Sequence, residues 1–343
     1  ANLGFDGINL VAGDTYDFSF YARRTRDTDK PIRVILQSDN GVIAEAVIDG
    51  LSAAWRKYET SLQATVSDEK ARLTIITTGE GDVCMDMISL FPQKTFKGRK
   101  NGLRPDLAQA LADLKPAVFR FPGGCIAHGH GLENAYRWKD TVGDVAERKP
   151  NWNLWGYHQT YGLGYFEYFQ LCEDIGAEPL PILPVGVSCG FRPPFQNEEL
   201  NKLQDWVDDA TDLIEFANGP LDSEWGNVRA KMGHPAPFHL KYIGLGNEDH
   251  HTPEFEERFP YFVKAIRAKA PDIKIVGTSG LGHQIPIYDF MKSQGVDLSD
   301  EHYYEAPEWF INNRTRFDDF DRNGPKVFVG EYASQGNRLF NAI

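Results

Sequence analysis

The sequence predicts an α/β protein in which a (β/α)8 barrel of the TIM type follows a small all-β sandwich. Three observations support this prediction. Short strand-like runs fill the first 93 positions, strand and helix patterns alternate after position 103, and polar side chains follow the ends of the later strands. The hydrophobic pattern thus divides the 343-residue chain into two regions of different secondary structure.

Residues 1–93 alternate apolar and polar side chains in the manner of antiparallel strands. The runs are TYDFSFYAR, IRVILQS, VIAEAVI, WRKYETSLQAT, ARLTIIT and VCMDMISLF, with no long helical pattern among them. Short strands at such even spacing predict a β-sandwich. Residues 94–102 are basic and contain glycine, and we interpret them as a linker.

Residues 103–343 are predicted to form the barrel domain. Six strand patterns alternate with helices, namely AVFRFPGG, EPLPILPVGV, KYIGLGNE, IKIVGTSG, VDLSDEHYY and KVFVGEYA. Such βα repeats indicate a parallel sheet with helical crossovers. A barrel is favoured over a doubly wound sheet because the strand ends carry polar groups, which a barrel gathers on one face. A glycine-rich phosphate loop after the first strand, which a nucleotide-binding sheet needs, is absent from this sequence.

Charge and composition exclude several classes of partner and cofactor. The formal net charge of −13 argues against nucleic acid or an anionic membrane, and no run of about 18 apolar residues is present. The four cysteines are widely spaced, which supports neither a disulfide scaffold nor a structural zinc site. HGHGLEN (128–134) and EDHH (248–251) contain grouped histidines, but we interpret them as polar loops. The sequence therefore predicts no metal and no cofactor.

Two glutamates are the central candidates for chemistry. Glu248 ends IGLGNE and Glu331 ends VFVGE, so each follows a strand-like run and a small residue. Barrel closure brings distant strand ends together, and two facing carboxylates are what glycoside hydrolysis requires. The alternative is that both glutamates are ordinary acidic residues on the surface or at the start of a helix. Asn247 is interpreted either as an amide for a sugar hydroxyl or as a turn-forming residue.

Five motifs resemble those of glycoside hydrolase family 51, and most closely its α-L-arabinofuranosidases. They are RFPGGC (120–125), NLWGYHQTYGLGYFEYFQLCEDIGAEPLPIL (153–183), YIGLGNE (242–248), EHYYEAPEWF (301–310) and VFVGEYA (327–333). The resemblance extends from about residue 99 to the end. The strands of residues 1–93 are similar to the carbohydrate-binding-module-like sandwich of the longer family members.

The resemblance implies a role for each matching residue. Glu248 is expected to be the general acid/base, and Glu331 the nucleophile of a retaining mechanism with a covalent glycosyl-enzyme. Asn247 matches the amide that holds the sugar 2-hydroxyl. Cys125 and Tyr303 match substrate-contacting positions, with Tyr304 as the alternative to Tyr303.

Other aromatic and basic residues are weaker candidates. Trp155 and Trp309 lie in predicted βα loops, where they are expected either to stack on sugar rings or to close the loops hydrophobically. Arg120 is expected to orient a carboxylate inside the barrel. Trp55 and Tyr58 fit a carbohydrate platform or an ordinary strand, and the sandwich is interpreted as mainly structural.

The chain departs from the family pattern at its ends. It opens within sandwich-like sequence, without the strand that carries a further substrate-binding glutamate, and it finishes twelve residues after Glu331. We therefore expect a barrel that lacks its first and last strands, stable only when the missing parts are supplied.

The predicted function is hydrolysis of terminal non-reducing α-L-arabinofuranosyl groups in plant polysaccharides and oligosaccharides that contain arabinose. Another retaining barrel glycosidase, of the endo-glucanase or endo-xylanase type, is the first alternative. A non-catalytic carbohydrate-binding fragment is the second. The resemblance leaves a homo-oligomer open. A secreted or periplasmic location is expected, with the cytoplasm as the alternative, and the first residues show no signal-peptide pattern.

Overall fold

The computed structural model describes residues 6–25, 30–78, 81–281 and 285–335. The predictions that concern residues 1–5 and 336–343 lie outside these ranges. Internal contacts divide the chain into two compact units, Ala1–Leu114 and Lys115–Ile343. Among the described residues, no helix combines the length and the apolarity that crossing a lipid bilayer requires.

The first unit is an antiparallel β-sandwich followed by one helix. Its elements are β1 (Ile8–Leu10), β2 (Thr15–Arg24), β3 (Ile32–Ser38), β4 (Gly41–Ile48), β5 (Arg56–Gln63), β6 (Asp68–Thr77), β7 (Val83–Pro92) and α1 (Pro105–Asp113). One sheet has the order β1-β6-β3-β4 and the other β5-β2-β7. The six predicted strands are confirmed, and β1 escaped prediction because three residues are too few for a pattern.

The sandwich core explains the alternation in the sequence. Phe18 and Phe20 of β2 and Val34 and Leu36 of β3 are fully buried, and they belong to one hydrophobic cluster to which both sheets contribute. Side chains of period two therefore face inward from each strand. Trp55, the suggested platform residue, is half exposed, and the guanidinium of Arg23 lies 5.6 Å from its ring centroid.

The domain boundaries at residues 93 and 103 stay predictions. One helix that the sequence assigned to the barrel domain belongs instead to the first unit. The pattern RPDLAQALADL forms α1, which belongs to the first unit and not to the second. A 3-10 turn at Phe96–Gly98 precedes it, and the backbone N–H of Phe96 donates to the carbonyl of Leu103 at 2.9 Å. The segment that leads into α1 is thereby tied to residues of the predicted linker.

The second unit alternates strands and helices. Its elements are β8 (Val118–Phe121), α2 (Gly124–His128), β9 (Asn151–Asn153), β10 (Tyr157–Gln159), α3 (Tyr165–Ile175), β11 (Glu178–Leu183), α4 (Gln204–Asn218), α5 (Glu224–Lys231), β12 (Tyr242–Leu245), α6 (Pro253–Lys269), β13 (Lys274–Leu281), α7 (Ile285–Ser293), β14 (Leu298–Glu305), α8 (Pro307–Asn312) and β15 (Lys326–Ser334). Six strands form one parallel sheet in the order β15-β14-β13-β12-β11-β8. All six predicted strands of this region are confirmed.

The curvature of this sheet identifies it as a barrel wall. In a flat sheet, strands about 4.8 Å apart would separate β8 from β15 by about 24 Å. The guanidinium Nη1 of Arg120 on β8 nevertheless lies 2.8 Å from Oε1 of Glu331 on β15. The two outer strands therefore approach one another across the interior, as in a (β/α) barrel.

Five of the elements named for this unit were not predicted, namely the short helices α2 and α8, the strands β9 and β10, and helix α5. The strands β9 and β10 form a short antiparallel hairpin, and each has only three residues. Helix α5, of sequence EWGNVRAK, is polar around most of its surface, so it lacks the periodicity that marks a helix. Arg229 of α5 is buried, and its guanidinium donates to the carbonyls of Phe216, Gly219, His234 and Pro235.

Candidate active site

Four strands deliver polar side chains to the carboxyl end of the barrel sheet. The residues are Arg120 from β8, Asn247 and Glu248 from the turn after β12, Asp300, His302 and Tyr304 from β14, and Glu331 from β15. The three residues of β14 share one face because side chains of a strand point inward at every second position. This is the face on which (β/α) barrels build their sites.

Glu331 is surrounded by hydrogen-bond donors and positive charge. Arg120 Nη1 lies 2.8 Å from Oε1, the Tyr304 hydroxyl donates to Oε2 at 2.5 Å, and His302 Nδ1 is 3.8 Å from Oε2. Burial by itself would raise the pKa of Glu331. The charge of His302, the hydrogen bond from Tyr304 and the guanidinium of Arg120 outweigh burial and lower that pKa. Glu331 is therefore held as a carboxylate at neutral pH.

Glu248 is held in a different way, by its backbone. It lies in the turn beyond β12 with φ of 51°, a left-handed conformation that is uncommon for any residue but glycine. Such a residue costs on the order of 1–3 kcal/mol and persists only where its surroundings fix it. Its carboxylate lines a cavity of about 450 Å³, and His302 Nδ1 lies 2.8 Å from its Oε1. One carboxylate oxygen from each of the two glutamates and one ring nitrogen of His302 all lie within 4.8 Å of one another.

His302 carries a positive charge between the carboxylates. Burial lowers its pKa, but hydrogen bonds to Asp300 and Glu248 and the charges of Asp300 and Glu331 raise it to about 9. Nε2 of the ring lies 3.3 Å from Asp300 Oδ2. Two carboxylates and an imidazole at this distance also resemble a set of metal ligands. The protonated ring and the guanidinium of Arg120 already place two positive charges beside these groups, which disfavours a metal cation here.

The two ends of the Asn247 amide differ in their hydrogen bonding. Its Oδ1 accepts from Arg120 Nη2 at 2.6 Å and from the backbone N–H of Gly124 at 2.9 Å. Its Nδ2 is buried and has no hydrogen-bond partner among the described residues. A buried amide nitrogen in this state is a donor that a ligand oxygen can satisfy.

Cys125 lies at the cavity wall and adjoins a second cysteine. The cavity beside Glu248 is lined by Cys125, Phe191, Arg192, Glu248, Leu281 and Tyr304. All four cysteines are free thiols, and Cys125 and Cys189 are hydrogen-bonded to each other. This hydrogen bond and burial both raise the pKa of Cys125, so that side chain is a neutral thiol.

The structure decides between the two tyrosines that the sequence left open. Tyr303 is buried on the opposite face of β14, where its hydroxyl donates to Glu301 and accepts from Arg316 Nε at 3.0 Å. Because the strand alternates, Tyr304 is the tyrosine that reaches Glu331. The structure thus brings Tyr304, the alternative, and not Tyr303 to the cavity, and contact of a tyrosine with substrate stays a prediction.

The two tryptophans lie in different surroundings. The ring centroid of Trp309 is 5.0 Å from that of Tyr303, which places it on the side of β14 that faces away from Glu331. Trp309 is thus not brought to the cavity. Trp155 is half exposed, and the guanidinium of Arg192, a cavity residue, stacks 4.5 Å from its ring centroid. Trp155 therefore adjoins the cavity through Arg192.

Sequence reasoning gave no role to His302 or Asp300, although both stand in the quoted run VDLSDEHYY. The signal was present, because Asp300, His302 and Tyr304 occupy alternate positions of one strand. Asp300 also contacts Arg120, with Oδ2 3.2 Å from Nε. Two histidines of the suspected metal motifs have partners other than Glu248 and Glu331. His128 pairs with Asp249, and the His250 ring packs edge-on against Phe191.

Comparison with known proteins assigns the chain to a family. Residues 110–322, more than half of the chain, match the family described as the alpha-L-arabinofuranosidase 1 domain. The chain belongs to the α-L-arabinofuranosidase family, glycoside hydrolase family 51. The resemblance in the five sequence motifs is thereby confirmed.

Individual members of the family match nearly the whole chain. The extracellular exo-alpha-L-arabinofuranosidase of Streptomyces chartreusis is 43% identical over an alignment of 359 residues. The alignment covers 100% of this chain and 43% of that protein. Alpha-L-arabinofuranosidase 1 of Arabidopsis thaliana is 39% identical, over 98% of this chain and 48% of that protein. The chain thus spans about half the length of the curated relatives it matches.

A solved structure of the family supports the fold. The arabinose-bound MgGH51 α-L-arabinofuranosidase superimposes with a TM-score of 0.84 at 34% sequence identity. The match covers 97% of this chain and 53% of that one. The predicted combination of barrel and sandwich is therefore confirmed.

Proposed function

We propose that the protein containing this chain is a retaining exo-α-L-arabinofuranosidase that removes terminal arabinofuranosyl groups from arabinose-containing oligosaccharides and polysaccharides. The observation that carries this proposal is the pair of carboxylates, whose nearest oxygens lie within 4.8 Å. Retaining glycosidases have carboxyl groups ~5–5.5 Å apart, whereas inverting ones need ~6.5–9.5 Å to admit a water molecule between them.

The surroundings of the two glutamates favour Glu331 as the nucleophile. A nucleophilic carboxylate must be ionised before attack, and Arg120, Tyr304 and His302 all stabilise the ionised form of Glu331. Glu248 lines the cavity, and His302 is its one hydrogen-bonding partner among the described residues. Glu248 can therefore meet the oxygen of a leaving group, as a general acid must.

The reaction then follows in two steps. Glu331 attacks the anomeric carbon while Glu248 protonates the glycosidic oxygen, so that the leaving group departs as an alcohol and an arabinosyl-enzyme ester forms. Glu248, now a carboxylate, removes a proton from water as the water attacks the same carbon and releases Glu331. Two inversions give net retention of configuration.

Two residues are proposed to position the sugar. The unpartnered Nδ2 of Asn247 is the proposed donor to the 2-hydroxyl, an interaction that strengthens in the transition state. Cys125 is proposed to contact the sugar from the cavity wall. Neither contact requires a metal or an organic cofactor.

The test is turnover of aryl α-L-arabinofuranosides by the full-length protein. We expect NMR to detect the α-anomer of arabinofuranose as the first product. Glu331→Ala should lower kcat/KM by about 10⁴-fold or more, because the nucleophile is lost. Added azide should then yield the β-arabinofuranosyl azide.

Two results would retire the proposal. One is the absence of turnover by the full-length protein, which would favour a non-catalytic carbohydrate-binding role. The other is β-arabinofuranose as the first product, which indicates inversion. Faster cleavage within arabinan or xylan chains than at their ends would instead favour an endo-acting glycosidase.

We also propose that the protein acts outside the cell. The support is the extracellular relative of Streptomyces chartreusis. Fractionation of the source cells, with activity assayed in the medium and in the cell extract, tests this location. A homo-oligomer stays a prediction from the family resemblance, and light scattering of the full-length protein measures it.

A further inference from the structure

A buried pair of titratable residues, His128 and Asp249, lies behind the turn that carries Glu248. His128 ends α2, and Asp249 follows Glu248 directly. The side chains are 1% and 3% exposed, so neither reaches the cavity beside Glu248. The mechanism proposed above gives them no chemical step.

Every polar atom of the imidazole is engaged. Nδ1 lies 2.9 Å from the carbonyl oxygen of Val187, which can only accept, so Nδ1 carries a proton. Nε2 lies 3.2 Å from Asp249 Oδ1 and 3.3 Å from Oδ2. A proton on Nε2 as well makes the ring a cation paired with the carboxylate, and the pKa of His128 is raised because Asp249 more than offsets its burial.

The carboxylate of Asp249 holds the backbone of the turn. The N–H of Asn247 lies 2.9 Å from Asp249 Oδ2 and 3.0 Å from His128 Nε2. The N–H is directed at both atoms, and when Nε2 carries a proton the carboxylate is the one that accepts from it. The pair thus fixes the peptide that immediately precedes the left-handed Glu248.

Gly246 makes this arrangement sterically feasible. Its φ is +81°, and a Cβ atom at this position would lie 2.1 Å from Asp249 Oδ2. Only a glycine allows the carboxylate to fold back against the turn at this distance. In the local sequence Gly-Asn-Glu-Asp, the glycine and the aspartate thus serve the ion pair with His128, while the asparagine and the glutamate belong to the candidate active site.

We propose that His128 and Asp249 are positioning residues, which hold the Asn247–Glu248 turn so that the Glu248 carboxylate meets the leaving-group oxygen. This inference rests on the proposed function of Glu248 as the general acid. The pair touches no reacting atom. Its effect is on protonation of the leaving group, because a small misplacement of a catalytic group lowers the rate steeply.

The test compares two variants of Asp249 on two substrates. Asp249→Ala removes the carboxylate that accepts from the Asn247 N–H and pairs with His128, and leaves His128 Nε2 as the remaining acceptor 3.0 Å from that N–H. Asp249→Asn keeps an acceptor for the N–H in Oδ1, and its amide nitrogen can donate to a neutral His128. The substrates are phenyl α-L-arabinofuranoside, whose leaving group needs protonation, and the 2,4-dinitrophenyl analogue, whose leaving group departs as the anion.

We expect Asp249→Ala to lower kcat on the phenyl substrate by about 10- to 100-fold and on the dinitrophenyl substrate by less than threefold, with KM changed by less than twofold. Asp249→Asn should recover most of the lost rate. Glu167→Gln is the matched control, because it weakens the ion pair with the buried Arg148, 2.8 Å away, in a part of the unit that contacts neither glutamate. It should affect both substrates alike.

The proposal would be overturned if Asp249→Ala lowered kcat equally on the phenyl and the dinitrophenyl substrate. It would also be overturned if Glu167→Gln lowered kcat on the two substrates in the same unequal way as Asp249→Ala. A wild-type protein inactive on both substrates would instead contradict the proposed function.

A second measurement is independent of turnover. In ¹⁵N-histidine-labelled protein at pH 7, His128, assigned from its loss in His128→Gln, should give imidazolium signals that Asp249→Asn removes. A neutral His128 in the wild-type protein would overturn the charge pair.

Discussion

Glu331 lies within a strand of the barrel sheet, whereas Glu248 lies in a left-handed turn beyond the end of one. The register of β14 and β15, in which His302 is opposite Glu331, fixes the first residue, and Arg120 and Tyr304 donate hydrogen bonds to its carboxylate. The second has φ of 51°, and within the described part of the chain its carboxylate has one hydrogen-bonding neighbour, His302. The difference shows that one carboxylate is controlled through its charge and the other through its backbone.

After Glu331→Ala, the largest effect on activity is expected from Glu248→Ala, which tests the comparison of the two glutamates directly. Loss of the general acid should lower kcat/KM on phenyl α-L-arabinofuranoside by about 10³-fold, or about 4 kcal/mol in the barrier, and on the dinitrophenyl analogue by less than tenfold. Glu331→Ala should impair both substrates alike. Azide should rescue Glu248→Ala to give the α-azide, the opposite anomer from Glu331→Ala. Equal losses for the two leaving groups would contradict the assignment of roles.

Arg120→Met tests whether the guanidinium of Arg120 stabilises the site by bridging Asn247, Asp300 and Glu331. The guanidinium contacts Asp300, Glu331 and Asn247, and its removal leaves buried carboxylates without their partner. We expect urea denaturation to report a loss of about 3–5 kcal/mol in the free energy of unfolding. Arg33→Met, which breaks the exposed pair with Glu45, is the control and should cost less than about 1 kcal/mol. A loss no larger than that of the control would mean that Arg120 is dispensable.

The charge of His302 predicts a dependence of stability on pH. The folded-state pKa of about 9 lies above the ordinary histidine value of 6.5, so the stabilisation is complete below about pH 6.5 and is lost as the pH rises through about 9. The shift corresponds to roughly 3 kcal/mol. Denaturation of the wild-type protein and of His302→Gln between pH 6 and pH 10 should show their difference narrowing by about that amount. A difference that stays constant would exclude a protonated His302.

Tyr304→Phe is expected to have the smallest effect. The hydroxyl of Tyr304 donates to Glu331 and lowers the pKa of that carboxyl, so its removal raises the pKa. The acid limb of the kcat/KM profile should therefore move to higher pH, and the rate at neutral pH should fall by about tenfold. Tyr303→Phe should leave the acid limb in place, because Tyr303 hydrogen-bonds Glu301 instead. The reverse pattern would restore Tyr303 as the tyrosine of the site.

The strands were predictable because their hydrophobic runs have the period of two or the continuous burial that their sheets require. Glu248 and Glu331 were predictable for a related reason, since each directly follows such a run. The choice between Tyr303 and Tyr304 was open because one position along a strand exchanges the inner for the outer face. Counting every second position from Asp300 along β14 places Tyr304, and not Tyr303, on the same face as Asp300.

Other parts of the site depend on contacts that span the chain. His128 and Asp249 are 121 positions apart, and Arg120 and Glu331 are 211 apart. Nothing local in HGHGLEN or NEDHH distinguishes a buried ion pair from polar loops. The left-handed φ of Glu248 is likewise invisible in the sequence, because glutamate rarely adopts it without tertiary support.

The amide of Asn247 has a consequence for chemical probes of the site. Arg120 and Gly124 occupy both acceptor positions of its oxygen, so the orientation of the amide is set before any sugar arrives. Among the described residues the buried Nδ2 of this amide has no acceptor, and its N–H groups cannot pair with a group that can only donate. A sugar with fluorine in place of the 2-hydroxyl still offers an acceptor, whereas a 2-ammonium sugar brings donors against donors. Fluorinated arabinosides are therefore the labelling reagents that this polarity admits.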